Sequence, residues 1–139
     1  MVLQHAGPFA SRSDRNNTAI RTAFQPLYDT YKVDLVLSGH DHSYNRGYDG
    51  NKNSTVYAVS DSGPKFYEAS SKDWQRAGAT RVVTAAHTST YQRVTVSQNT
   101  LTYQAVVGYK GPGSTTAKKV GQVLDQVIIT KSGTTKTVR

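Results

Sequence analysis

The hydrophobic pattern changes rhythm near residue 50. Before that point Val33, Leu35, Val36 and Leu37 make a nearly continuous apolar run ending at Ser38, as in a short strand buried on both faces. Ahead of it, Ile20, Ala23, Phe24, Leu27 and Tyr31 recur at three- and four-residue steps, which predicts an amphipathic helix laying one stripe on a sheet. Asn16, Asn17 or Thr18 can cap its start, and Pro26 should bend or split it. The opening "MVLQH" reads as the end of another strand, and "AGPFASRSDRNN" has the Gly, Pro, Ser, Asp and Asn density of a loop. Strand, helix, strand is the pattern of a parallel crossover.

Beyond residue 50 the period falls to two. Val56 to Val59 predicts one strand, and Tyr91, Arg93 and Thr95 alternating with Val94 and Val96 predict another. Leu101, Tyr103, Ala105 and Val107 alternate with Thr102, Gln104 and Val106, and Gln98-Asn99 is the expected hairpin turn between these two strands. Val120 to Lys131 predicts a last strand. "GYKGPGSTTAKK" reads as a mobile loop and the terminal "SGTTKTVR" as a fraying end. The expected organisation over residues 1–139 is a single domain or half-domain. An α/β unit spans 1–50 and a β-rich closing sheet spans 51–139.

The chain has no cysteine, which excludes disulfides, iron–sulfur clusters and thiolate zinc sites, so any metal must take nitrogen and oxygen ligands. Seventeen Lys and Arg against nine Asp and Glu give a net charge of +8, which favours anionic ligands. The basic residues are scattered, only Lys118 and Lys119 being adjacent, and no aromatic-rich basic repeat is present, which argues against a nucleic-acid partner. No apolar run approaches the ~20 residues of a membrane-spanning helix, so no membrane partner is expected.

Candidate chemistry concentrates in "VDLVLSGHDHSYNR", Val33 to Arg46. In parallel sheets ligands gather beyond the carboxyl ends of the strands. His5 ends the first predicted strand, and His40 and His42 follow the second. Parallel strands would therefore bring all three imidazoles to one sheet edge. Gly39 suits a turn that needs torsions or closeness only glycine tolerates, and Asp41 should point away while His40 and His42 converge. His87, in "TAAHTST", has no evident partner and reads as a surface or satisfied core histidine. Trp74 reads as a packing anchor rather than a cleft residue.

These residues carry a resemblance. "H-x-x-P" at His5 to Pro8, a loop, an amphipathic helix and "YKVDLVLSGHDHSYNR" resemble the distal half of the calcineurin-like metallophosphoesterases, and within them the purple acid phosphatases. That branch reads "KYxVDxVxxGHxHxYER"; here Asn45 replaces the glutamate. "STVYAVSDSGPKFYE", "TYQRVTVSQNTLTYQAVV" and "GQVLDQVIITK" resemble the strands that follow, so the likeness covers nearly the whole chain.

The resemblance implies the C-terminal half of an αββα sandwich with a dinuclear centre of iron, manganese or zinc. His5 and His40 would bind one metal and His42 the other, with Gly39 and Asp41 in the active-site loop. The implied activity is phosphoester hydrolysis by a metal-bound hydroxide attacking phosphorus in line.

Family members place further ligand motifs ahead of the first histidine: an Asp-ended strand, "GDxxY" and "GNHE". Only four residues precede His5 here, and Asp14, Asp29, Asp34, Asp41 and Asp61 offer no evident replacement. Three histidines cannot fill two ions that each want about five or six ligands. The expectation is therefore a fragment, the N-terminal half of its parent being absent, weakly active or inactive alone and hiding its exposed face by homodimerising. In the loop after His5, where relatives carry substrate-contacting histidines, stand Ser11, Arg12, Ser13, Asp14 and Arg15; the two arginines could approach a phosphate but read as solvated. The alternative is a non-catalytic β-rich binding or assembly module with a vestigial histidine cluster. Family resemblance implies a secreted or cell-surface parent.

Overall fold

A computed structural model describes residues 1–139. β1 (Val2–Ala6), α1 (Thr18–Thr30) and β2 (Leu35–Gly39) form a parallel crossover in which Val2 lies beside Val36 and Leu3 beside Leu37. β3 (Tyr44–Tyr48) turns back antiparallel, β4 (Val56–Val59) inserts parallel to β2, and β5 (Thr80–Ala85) closes the far side, giving the order β1-β2-β4-β3-β5. Between β4 and β5 lies a short helix, α2 (Lys72–Arg76). A second sheet is an antiparallel meander of β6 (Thr88–Val96), β7 (Thr100–Lys110), β8 (Val123–Ser132) and β9 (Thr135–Val138). The chain is mixed α/β, strand-rich, with two sheets and few helices.

Two apolar clusters hold these layers. Leu35, Tyr44, Val56 and Ala58 of the first sheet pack with Leu101, Tyr103, Val127 and Ile129 of the second. Phe9, Tyr28, Val36, Tyr57 and Trp74 form the other cluster, which joins the outer face of the first sheet to the two helices. Leu35 and Val36 are neighbours that serve opposite clusters, so β2 is buried on both faces as its apolar run requires.

α1 does not use the stripe its periodicity predicts. Phe24, Leu27 and Tyr31 are exposed, and the inward residues are Arg21 and Tyr28. Arg21 is drawn in by charge: it donates to Asp73 at 2.7 Å and to the Pro8 carbonyl at 2.9 Å, while Asp73 also accepts from the Ala10 amide at 2.8 Å. This buried pair ties α1, α2 and the loop after β1 together, which outweighs the apolar periodicity. The helix runs through Pro26 unbroken.

Three further expectations are revised. β3 and β5 are strands that the alternation did not mark, because Asn45 and Gly47 in one and exposed Val82 in the other obscure it. The terminal segment does not fray: β9 pairs with β8, Ile128 and Arg139 exchange backbone hydrogen bonds at 2.9 and 3.0 Å, and the Val138 amide donates to Asn53 at 3.0 Å. β7 extends to Lys110, so the loop begins later than its glycines suggest. Trp74 is the packing anchor expected, fully buried with its ring stacked on Phe9 at 4.6 Å.

Candidate metal centre

The parallel pairing of β1 with β2 brings His5 and His40 to the same end of the sheet. Gly7 permits this close exit, since a Cβ there would lie 2.3 Å from the Ser38 hydroxyl. His40 Nδ1 and His5 Nε2 stand 2.9 Å apart, the rings edge to face at 4.7 Å. His42, off the same turn, lines the same cavity of about 840 Å³ together with Asp61 of the turn after β4 and Gln92 of β6.

The turn is strained at its histidines. His40 and His42 hold φ of 72° and 51°, the left-handed region that costs a side-chain-bearing residue about 1–3 kcal/mol and recurs at functional sites. Gly39, expected to carry that burden, does not: its φ is not positive, and a Cβ there would meet only the Ser60 carbonyl at 3.6 Å. Asp41 points inward, buried, accepting from the Ser11 amide at 2.6 Å and from Arg15. These contacts pin the loop after β1 to the histidine turn, and the Ser11 and Ser43 hydroxyls add a hydrogen bond of 2.8 Å.

His42 faces a different environment from the His5–His40 pair. Its Nδ1 lies 3.1 Å from the Lys65 carbonyl and 3.6 Å from Asp61 Oδ1, and its ring meets Tyr67 edge to face at 5.1 Å. A carbonyl only accepts, so the tautomer with its proton on Nδ1 is the one this contact can satisfy, and it leaves Nε2 unprotonated. Desolvation, helped by the Arg15 charge, depresses the His40 imidazole below its ordinary range, which keeps it in the neutral form that binds metals. Burial raises the Asp61 carboxyl.

Two nitrogens bound cis to one octahedral ion at ~2.1 Å stand ~3 Å apart; in the metal-free chain the 2.9 Å contact between His5 and His40 is a hydrogen bond, one ring donating to the other, and that proton must leave before both nitrogens can face one ion. No three His, Asp or Glu side chains gather closely enough to hold an ion by themselves.

Other candidates resolve differently. Neither loop arginine is simply solvated: Arg12 sits over the Tyr67 ring at 3.9 Å from its centroid and binds Asp14, and Arg15 binds Asp41. His87 does have partners, its Nε2 donating to the Glu68 carboxylate at 2.8 Å and its ring stacked on Phe66 at 5.8 Å. Asp61, which sequence position sets in a separate turn, lies beside His42. Its place just after the apolar run Val56–Val59 is visible in the sequence; the parallel pairing of that strand with β2, which gives Asp61 the position His40 holds, is not.

No family model matches the chain. Two Mycobacterium tuberculosis proteins, each described only as uncharacterized and coming from strains CDC 1551 / Oshkosh and ATCC 25618 / H37Rv, are 49% identical to it over 50 residues, 34% of this chain. The matched stretch spans 10% of the length of those relatives.

Proposed function

We propose that this chain supplies one wall of the dinuclear metal centre of a phosphoester hydrolase, and that its two sheets correspond to the C-terminal half of a calcineurin-like αββα sandwich. The observation that carries the reading is the His5–His40 pair, two imidazole nitrogens 2.9 Å apart at the carboxyl ends of adjacent parallel strands. His42, on the same cavity with Nε2 free, is the ligand to a second ion. Bound iron, manganese or zinc would supply an activated water and neutralise phosphoryl charge.

The chain's own residues hold and orient. His5, His40 and His42 present their imidazoles; Asp41, gripping Ser11 and Arg15, fixes the turn that carries two of them. Lys65 borders that turn with positive charge suited to a phosphoester, while Arg12 and Arg15 beside it are paired with Asp14 and Asp41. Three imidazoles leave most of the coordination of two ions to donors from outside this chain, so weak or absent activity is expected of these residues alone.

Elemental analysis of the purified chain after equilibration with iron, manganese and zinc, beside His5→Ala and His40→Ala variants, tests the reading. Near-stoichiometric metal that both variants lose supports it. Metal no higher than in the variants overturns it and favours a β-rich binding or assembly module whose histidines are stranded.

A further inference from the structure

Asp61 is 3% exposed, and its Oδ2 is buried with no hydrogen-bond partner. An unpaired buried carboxylate oxygen is a liability that folded proteins seldom keep without use. Here the group is fixed from its own backbone, its carbonyl accepting from the Thr90 amide at 2.6 Å and its Oδ1 from the Gly63 amide at 3.1 Å. Oδ1 is thereby held 3.6 Å from His42 Nδ1. The imidazole cannot turn away freely, because the Tyr67 amide bonds the His42 carbonyl at 3.0 Å and seats the Tyr67 ring against it.

The two tautomers of His42 differ sharply in this setting. With the proton on Nδ1, an N–H faces the Lys65 carbonyl and the Asp61 carboxylate, and both attract it. With the proton on Nε2, a lone pair faces the same two oxygens and both repel it. We propose that Asp61 is a positioning residue for His42: its buried carboxylate fixes the imidazole proton on Nδ1 and leaves Nε2 as the donor toward a cation. The inference rests on reading His42 as a metal ligand. It adds a carboxylate–imidazole pair of the kind that orients ligating histidines and raises their basicity.

The test is the proton position itself, read by long-range 1H–15N correlation of the histidine side chains in the metal-free chain at alkaline pH, where imidazoles are neutral. In the wild type, His42 is expected with its proton on Nδ1. In Asp61→Ala the population shifts toward the Nε2–H form that free imidazole prefers, and Asp61→Asn, which keeps an accepting oxygen without the charge, falls between. A merely structural Asp61 would leave the proton in place in any variant that folds, and should Asp61→Ala not fold, Asp61→Asn carries the comparison. A wild-type His42 protonated on Nε2, or a proton position unchanged by substitution, overturns the proposal. Failure of the wild-type chain to take up metal would overturn the hydrolase reading instead and leave this result standing.

Discussion

Arg46 on β3 grips Asp125 on β8 through paired hydrogen bonds, Nε to Oδ2 at 2.8 Å and Nη2 to Oδ1 at 2.7 Å, so that the two sheets are joined by a buried bidentate ion pair. Tyr44 donates a third bond to the same carboxylate at 2.7 Å, and Tyr103 donates to Tyr44 at 3.2 Å. Burial raises both tyrosine hydroxyls well above their ordinary range, so they remain donors. The histidine turn runs directly into β3, which means that the strand carrying His42 away from the cavity is clamped four residues later to the second sheet.

Removing one partner of such a pair strands the other charge in the interior, whereas replacing both with apolar groups need not. Asp125→Ala is therefore expected to lose about 3–5 kcal/mol, and Arg46→Met with Asp125→Leu to regain much of it. Urea midpoints at constant slope measure both. An Asp125→Ala midpoint equal to wild type would show that the clamp contributes nothing.

The legible parts of the fold were those whose pattern has a single physical cause. The run from Val33 to Leu37 reads as a doubly buried strand because burial on both faces removes alternation, and β2 is that strand. The α1 stripe misled because Arg21, a charged residue, takes the inward position on meeting Asp73 from a helix 52 residues away; periodicity sees apolar side chains and not ion pairs. His5 and His40 were legible from strand ends alone. Asp61 was not, because what places it beside His42 is the insertion of β4 next to β2, a pairing the local sequence does not encode.

Metal titration should separate the histidines into two groups. On the proposed reading His5→Ala and His40→Ala remove ligands of the same ion, so each should weaken its binding by more than the ~10–100-fold typical of outer-shell changes. His42→Ala should leave that ion bound. Calorimetric titration with zinc distinguishes them; equal losses in all three variants would place the three imidazoles on one ion and refute the two-ion assignment.

Lys136 offers a pH test remote from the cavity. It donates to the Ser54 carbonyl at 2.8 Å and faces Asp34 at 3.5 Å, with Lys131 on the other side of that carboxylate at 2.8 Å. Desolvation exceeds the help from Asp34, so its amine is depressed below the ordinary 10.5. A base depressed on folding disfavours the folded state while charged in both states, and the penalty is relieved as pH rises through the folded value toward 10.5. Relative to Lys136→Met, the wild type should gain stability as pH rises toward 10.5. Urea midpoints at stepped pH check this, and a constant difference would contradict it.

Self-association is expected along the free edges. β1 ends one sheet and β6 the other, and both leave large apolar side chains in water: Leu3 is 71% exposed, Val96 68% and Tyr91 49%. Exposed apolar strands with unpaired amides and carbonyls are the surfaces on which further strands add. β1 carries no Lys, Arg, Asp or Glu from Val2 to Ala6 and lacks the lysine or proline that usually blunts an edge. The apparent mass of the chain by light scattering should therefore rise with concentration, and Leu3→Lys, which places a charge on the β1 edge without touching either core cluster, should hold it at the monomer. A wild-type monomer at every concentration would sink the idea, and a dimer indifferent to Leu3→Lys would move the contact from β1 to β6.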